Sequence, residues 1–249
     1  MVHGHLAESK SEYDFTMEQF GCSPVEWFRR NNLLGDRFYY AHCIHLDEQD
    51  IKVLAETGTG VVSCPISNMY LSSGSCQVRN MMDAGVERIG LGVDGAASSN
   101  SSNMMEEMRV AYLLNRLTHE ENACTSENIL YMATAGGAKA LGRNDIGTLV
   151  PGKATDLTLL DWSSLSYAGG RNDPADCIVR SGDARMVDTV IVNGDCYALT
   201  NGRKVHMLMR LVMNYFRGLL STFSPFKKKS FRLYRNLQEG RYERKKLAY

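Results

Sequence analysis

The stretch FYYAHCIHLDEQDIKVLAETGTGVVSC, residues 38–64, decides the fold. Phe38 to Ile44 is an aromatic and aliphatic run that reads as a strand. Asp47 then stands as the N-cap of a helix running to about Glu56, and Gly58-Thr59-Gly60 turns the chain into a second apolar run, Val61 to Cys64. A strand, a helix and a strand in immediate succession form a crossover unit, which places the two strands parallel.

The same alternation continues on both sides. Val2 to His5 reads as the end of a strand, and Glu12 to Asn32 as helix, interrupted near Gly21 and Pro24. Beyond the central unit, Val78 to Ala84 is helical up to Gly85, Ile89 to Val93 is a fourth strand, and helices follow over Met104 to Leu117 and Ser126 to Leu141. A complete (β/α)8 barrel takes about 250 residues, roughly 30 per unit. Residues 1–144 are therefore expected to supply four units, half of such an α/β barrel.

After Leu141 the pattern changes. Leu157 to Asp161 alternates, and Val187 to Val192 runs into Asn193-Gly194, a two-residue hairpin signal. Residues 145–205 are expected to form part of a small accessory β-sandwich. Residues 206–224 read as an amphipathic C-terminal helix, because Arg210, Asn214 and Arg217 interrupt its apolar run. From Lys227 onward nine basic residues face only Glu239 and Glu243, so 225–249 is expected to be a disordered, solvated tail.

The 249 residues carry no formal net charge, and 44% are hydrophobic against 22% charged. Nothing in that balance draws the chain toward nucleic acid or a membrane. The seven cysteines are scattered, without a CxxC pair and odd in number, which points to reduced thiols and a cytoplasmic protein. The start of the chain lacks a basic segment followed by an apolar one, so no secretory signal is expected.

Chemistry-bearing residues fall where strands end. His5 and Glu8 lie three positions apart after the first strand, His42 ends the second and Asp94 follows the fourth. In β/α proteins these ends converge on one face, and imidazole with carboxylate suits zinc or iron. Each residue also has a plain structural reading: His5 as a hydrogen-bonded histidine, Asp94 as the first member of an Asp-Gly turn. Asn68 after Cys64-Pro65 either holds a polar heterocycle or braces its loop. Cys64 has no obvious base beside it and reads as a structural thiol, while His3 and His45 are weaker candidates. No phosphate-binding glycine motif is present.

The segments HGHLAES, YAHCIHLDE, GTGVVSCPISNMYLSSG and GLGVDGAASSNSSNMMEEMR together resemble the metal-dependent amidohydrolase superfamily, in its deaminase and chlorohydrolase branch. The later pieces GRNDIGTLVPGKATDLTLLDW and SYAGGRNDPADCIV are particularly similar to 8-oxoguanine deaminases. The resemblance implies that residues 1–144 correspond to barrel strands five to eight. It makes His5 a metal ligand, Glu8 the acid/base and His42 the imidazole beside nucleophile and substrate. Asp94 becomes a metal ligand that also accepts the water proton, and Asn68 and His42 face the substrate. The metal would be zinc, with iron as the alternative, and 8-oxoguanine would give urate and ammonia.

Two departures accompany it. Relatives carry a His-x-His pair on the first barrel strand, ahead of anything in this sequence, so the chain reads as N-terminally truncated. Ser63 stands where relatives commonly have a histidine. A triazine-type aminohydrolase or chlorohydrolase is the rival within the enzyme class. The rival outside it is a non-catalytic fragment, because two ligands fall short of the three that catalytic zinc sites usually keep. The implied partners are a small heterocyclic substrate and a second copy of the chain, with neither nucleic acid nor membrane.

Overall fold

The computed structural model describes residues 1–199; the helix expected over 206–224 and the basic tail lie outside the described residues. Strand β1 (Val2–Leu6) is followed by α1 (Lys10–Phe20) and α2 (Pro24–Arg30). The sequence signals act as expected here: α1 ends at Gly21 in the left-handed conformation (φ 63°), and Ser23 caps α2 with Pro24 in its first turn. Next come β2 (Phe38–His42), α3 (Glu48–Thr57) and β3 (Gly60–Ser63). Asp47 and Asp50 form a reciprocal capping box at the start of α3, and Gly58 closes its end at φ 67°. Asp50 also receives the Ser23 hydroxyl at 2.5 Å, tying α2 to α3.

Helices α4 (Pro65–Tyr70) and α5 (Val78–Asp83) lead to β4 (Ile89–Leu91). A short α6 (Ala96–Ser99) and the long α7 (Met104–His119) follow. Helix α8 (Ser126–Tyr131) passes through a π-turn (Met132–Gly136) into α9 (Gly137–Ala140). The Pro65 segment, read from sequence as a loop, forms a helix because proline's fixed φ suits a first helical position. Gly136 lies so close to the Ile89 carbonyl that no Cβ fits between them, which lets the π-turn pack against β4.

The four strands form one parallel sheet in the order β1-β2-β3-β4, with His5 opposite Ala41 and Ala41 opposite Val62. Leu6, Tyr40, Val61 and Ile89 from the strands pack with Leu54, Met81, Met108, Ile129 and Met132 from the helices in one buried core. The result is an α/β architecture with a parallel sheet. Strands β2 and β4 stop at His42 and Leu91, short of the expected Ile44 and Val93.

Strand β5 (Leu157–Leu160), helix α10 (Pro174–Ser181) and strands β6 (Val187–Val192) and β7 (Asp195–Leu199) complete the described chain. The strands make a three-stranded antiparallel sheet in the order β5-β6-β7, a single layer among the described residues. Tyr167, Cys177 and Met186 form its small core with Leu160 and Trp162. Helix α10 belongs to both parts. Its Cys177 sits in the small core, whereas Val179 is fully buried in the main one. Ser126 donates to Asp176 at 2.7 Å, and Arg109 donates to the Arg180 carbonyl at 3.0 Å, holding this helix against α8 and α7. No described helix is long and apolar enough to cross a membrane.

Candidate metal centre

The strands of the parallel sheet end in unusual backbone. Ala7, His42, Cys43 and Asp94 all have positive φ, between 47° and 73°. For a residue with a Cβ this conformation costs about 1–2 kcal/mol, and it persists where surrounding bonds enforce it. Those bonds are present. The Cys43 N–H donates to the Leu6 carbonyl, and the Ile44 and His45 N–H groups both donate to the Ala7 carbonyl, all at 3.0 Å. After β1, Glu12 receives the N–H groups of Ala7 and Glu8, one on each carboxylate oxygen at 2.9 Å, while Ser9 caps α1. The turn carrying Glu8 is thereby fixed.

These turns bring together the four residues singled out from sequence. His5, His42 and Asp94 each offer a ligand atom within 4.8 Å of the others. His42 Nε2 lies 3.7 Å from Glu8 Oε2 and 4.0 Å from Asp94 Oδ2. Two ligands of one zinc, each about 2.0–2.2 Å from it, are at most roughly 4.4 Å apart. Three ligands around a tetrahedral zinc stand roughly 3.3–3.6 Å apart, so the side chains would have to close in by up to about 1 Å for one ion to meet all three, and two imidazoles with a carboxylate suit zinc or iron.

His42 is almost wholly buried, and its Nδ1 lies 2.8 Å from Asn68 Oδ1. With that carbonyl as acceptor the ring proton sits on Nδ1, and Nε2 presents its lone pair to Glu8 and Asp94. Asn68 itself has no exposed surface, so of its two sequence roles the geometry is that of a brace behind the imidazole. Its Nδ2 is buried without an acceptor among the described residues. The amide therefore makes one bond only, to His42.

Asp94 is held from two helices. Ser67 on α4 donates to its Oδ2 at 2.5 Å, and Ser98 on α6 donates to the same oxygen at 3.1 Å. Burial alone would raise this carboxyl. The bonds from Ser67, the Gly95 N–H and Ser98, with the charge of His42, outweigh burial and hold it below the usual carboxylate range. Asp94 thus stays an anion, as a metal ligand must.

The remaining candidates fall outside the cluster. His3 stacks on Tyr39 at 4.5 Å, and His45 Nε2 bonds the Ser73 carbonyl at 2.9 Å. Burial, then the charges of Asp94 and Glu107, pushes the Cys64 thiol up to about 12, which suits a structural thiol and not a nucleophile. Sequence reasoning passed over Glu12, Ser67 and Ser98. A signal existed for the first, because Ser9-Lys10-Ser11-Glu12 has the spacing of a capping box. None existed for the serines, whose bonds to Asp94 span 27 and 4 positions.

A model described as the amidohydrolase family matches residues 1–196. The chain is 41% identical over 208 residues to 8-oxoguanine deaminase of Pseudomonas aeruginosa, covering 80% of this chain and 46% of that protein. It is 42% identical over 206 residues to 5-methylthioadenosine/S-adenosylhomocysteine deaminase of Desulforudis audaxviator, covering 82% and 47%. Among solved structures, an adenosine deaminase from Xanthomonas campestris with bound zinc superimposes with a TM-score of 0.77 at 31% identity. That match covers 89% of this chain and 51% of the other. The chain spans about half the length of the curated relatives it matches.

Proposed function

The chain belongs to the amidohydrolase family, and we propose that it serves a metal-dependent hydrolytic deaminase of an aminated heterocycle, with 8-oxoguanine as the favoured substrate. The observation that carries this reading is the convergence of His5, Glu8, His42 and Asp94 at the ends of three parallel strands. In this reading His5 and Asp94 hold the metal, zinc in preference to iron. When bound, the metal supplies Lewis-acid activation of water at neutral pH.

The other roles belong to the chain's own residues. Glu8 carries one water proton to the ring nitrogen, Asp94 accepts the other, and Glu8 passes it to the departing ammonia, so that N=C–NH2 and H2O become HN–C=O and NH3. His42, its ring oriented by Asn68, faces the developing charge with Glu8 and Asp94 on either side. For 8-oxoguanine the products are urate and ammonia. The choice of substrate rests on the similarity of residues 142–162 and 166–179 to 8-oxoguanine deaminases, since the two curated relatives are almost equally identical overall.

The same reading takes residues 1–144 as strands five to eight of an eight-unit barrel and 145–205 as part of an accessory β-domain, with α10 folding back onto the barrel layer. It places the enzyme in the cytoplasm as a homo-oligomer acting on a small heterocycle.

Ammonia release from 8-oxoguanine, 5-methylthioadenosine and S-adenosylhomocysteine tests it, on this chain and on a version extended upstream in its genomic frame. Turnover of 8-oxoguanine by either is expected, and Glu8→Gln should lower kcat at least about 100-fold. Turnover of the nucleosides alone would move the substrate. An unaffected Glu8→Gln variant would sink the assignment of the acid/base.

A further inference from the structure

Helix α4 begins without a cap of its own. Cys64 at its N-cap makes no side-chain hydrogen bond to the helix's own N–H groups, and Pro65 has no N–H to satisfy. The next donor, the Ile66 N–H, is taken by Glu107 Oε2 at 3.1 Å, from α7. The other oxygen of Glu107 receives the Ser99 hydroxyl at 3.3 Å. Ser99 ends α6, which also starts without a side-chain cap, at Gly95.

Glu107 has no exposed surface, although α7 buries Met108 and Ala111 on the same side. Burial pushes its carboxyl up to about 7, and the neighbouring charges of Glu106 and Asp94 add to the rise. An apolar side chain of similar size would fill this volume at less desolvation cost. What the carboxyl adds is a pair of directed bonds to two short helices.

The residues beside those bonds are the ones that orient the candidate ligands. Ile66 is followed by Ser67, which donates to Asp94, and by Asn68, which holds His42. Ser99 is preceded by Ser98, the second hydroxyl on Asp94. We propose that Glu107 is a positioning residue for the metal centre, pinning α4 and α6 so that Ser67 and Ser98 aim Asp94 while Asn68 aims His42. The proposal rests on the metal-site reading above only for its metal-binding readout.

The experiment compares the full chain with Glu107→Gln and Glu107→Leu. Circular dichroism confirms folding, nitrogen-15 NMR reads the His42 tautomer without metal, and titration with Co2+ alone gives affinity. Glutamine can still accept from the Ile66 N–H, so Glu107→Gln should keep the Nδ1-protonated tautomer and hold Co2+ affinity within about threefold of the parent. Glu107→Leu should mix the tautomers and weaken Co2+ binding by about 10–100-fold, the usual effect of losing an outer partner of a metal site. A folded Glu107→Leu variant with unchanged tautomer and unchanged affinity overturns the proposal.

If the leucine variant does not fold, Ser99→Ala removes one of the two bonds and leaves the carboxyl in place. It should still weaken Co2+ binding several-fold, and unchanged affinity there overturns the proposal equally. Failure of the parent chain to take up Co2+ would sink the metal-site reading instead, and the metal-free tautomer comparison would still decide the role of Glu107.

Discussion

At the ends of β1, β2 and β4, positive φ is adopted by Ala7, His42, Cys43 and Asp94, whereas the turn between β6 and β7 fills the same backbone region with Asn193 and Gly194. The second pair is what a hairpin selects, because asparagine and glycine enter left-handed backbone at little cost. In the first set Ala7, His42 and Cys43 are held by hydrogen bonds between the two turns, while Asp94, which enters this region about as readily as asparagine, is held through its side chain by Ser67 and Ser98. Left-handed backbone closing an antiparallel pair marks a turn. Where it follows parallel strands and carries imidazole and carboxylate, it marks the place where side chains are aimed.

The comparison can be broken most decisively at a ligand. His5→Ala should lower zinc affinity by at least about 100-fold, since it leaves Asp94 alone of the two proposed protein ligands. Equilibrium dialysis against a chelator reads it, and retained zinc would mean that His5 is structural. Asn68→Ala should act through His42, lowering metal affinity or kcat by about 10–100-fold with little loss of fold. A large fall in Tm with no change at the site would make Asn68 a packing residue.

Proton linkage sharpens the contrast from a different side. The Glu107 carboxyl titrates near 7 when folded, above the ordinary 4.5. Its contribution to stability is therefore fully present below about pH 4.5 and lost as pH rises through 7. The Tm of the parent chain minus that of Glu107→Gln should accordingly fall between pH 5 and 8, and a flat difference would place the carboxyl outside the buried state described. The smallest effect belongs to the antiparallel sheet. Gly194→Ala, at φ 83°, should destabilise the β6–β7 hairpin by about 1–2 kcal/mol in hydrogen exchange. Metal affinity should not change, and a coupled loss would join the two sheets functionally.

Much of this arrangement was legible beforehand. Asp47 and Gly58 bracket α3 as caps should, and Asn193-Gly194 turns the hairpin, because both signals are local and act within a few residues. Helix α10 was passed over, although Asp173-Pro174 caps it and its Val179 completes the main core. Its place depends on α7 and α8, through bonds that span 71 and 50 positions. The structure ends β2 and β4 before the expected Ile44 and Val93; at Ile44 apolar character continues although the left-handed His42 and Cys43 have already turned the backbone.

Sequence by itself determined the alternation of strand and helix, the parallel pairing it requires, and the residue types His5, Glu8, His42 and Asp94 at strand ends, because periodicity, capping and side-chain chemistry are properties of short segments. Only the tertiary structure decided which groups stand behind them. Asn68 on His42, Ser67 and Ser98 on Asp94, and Glu107 beneath α4 and α6 are set by how separate helices pack, and no local spacing encodes a bond across 26 or 41 positions.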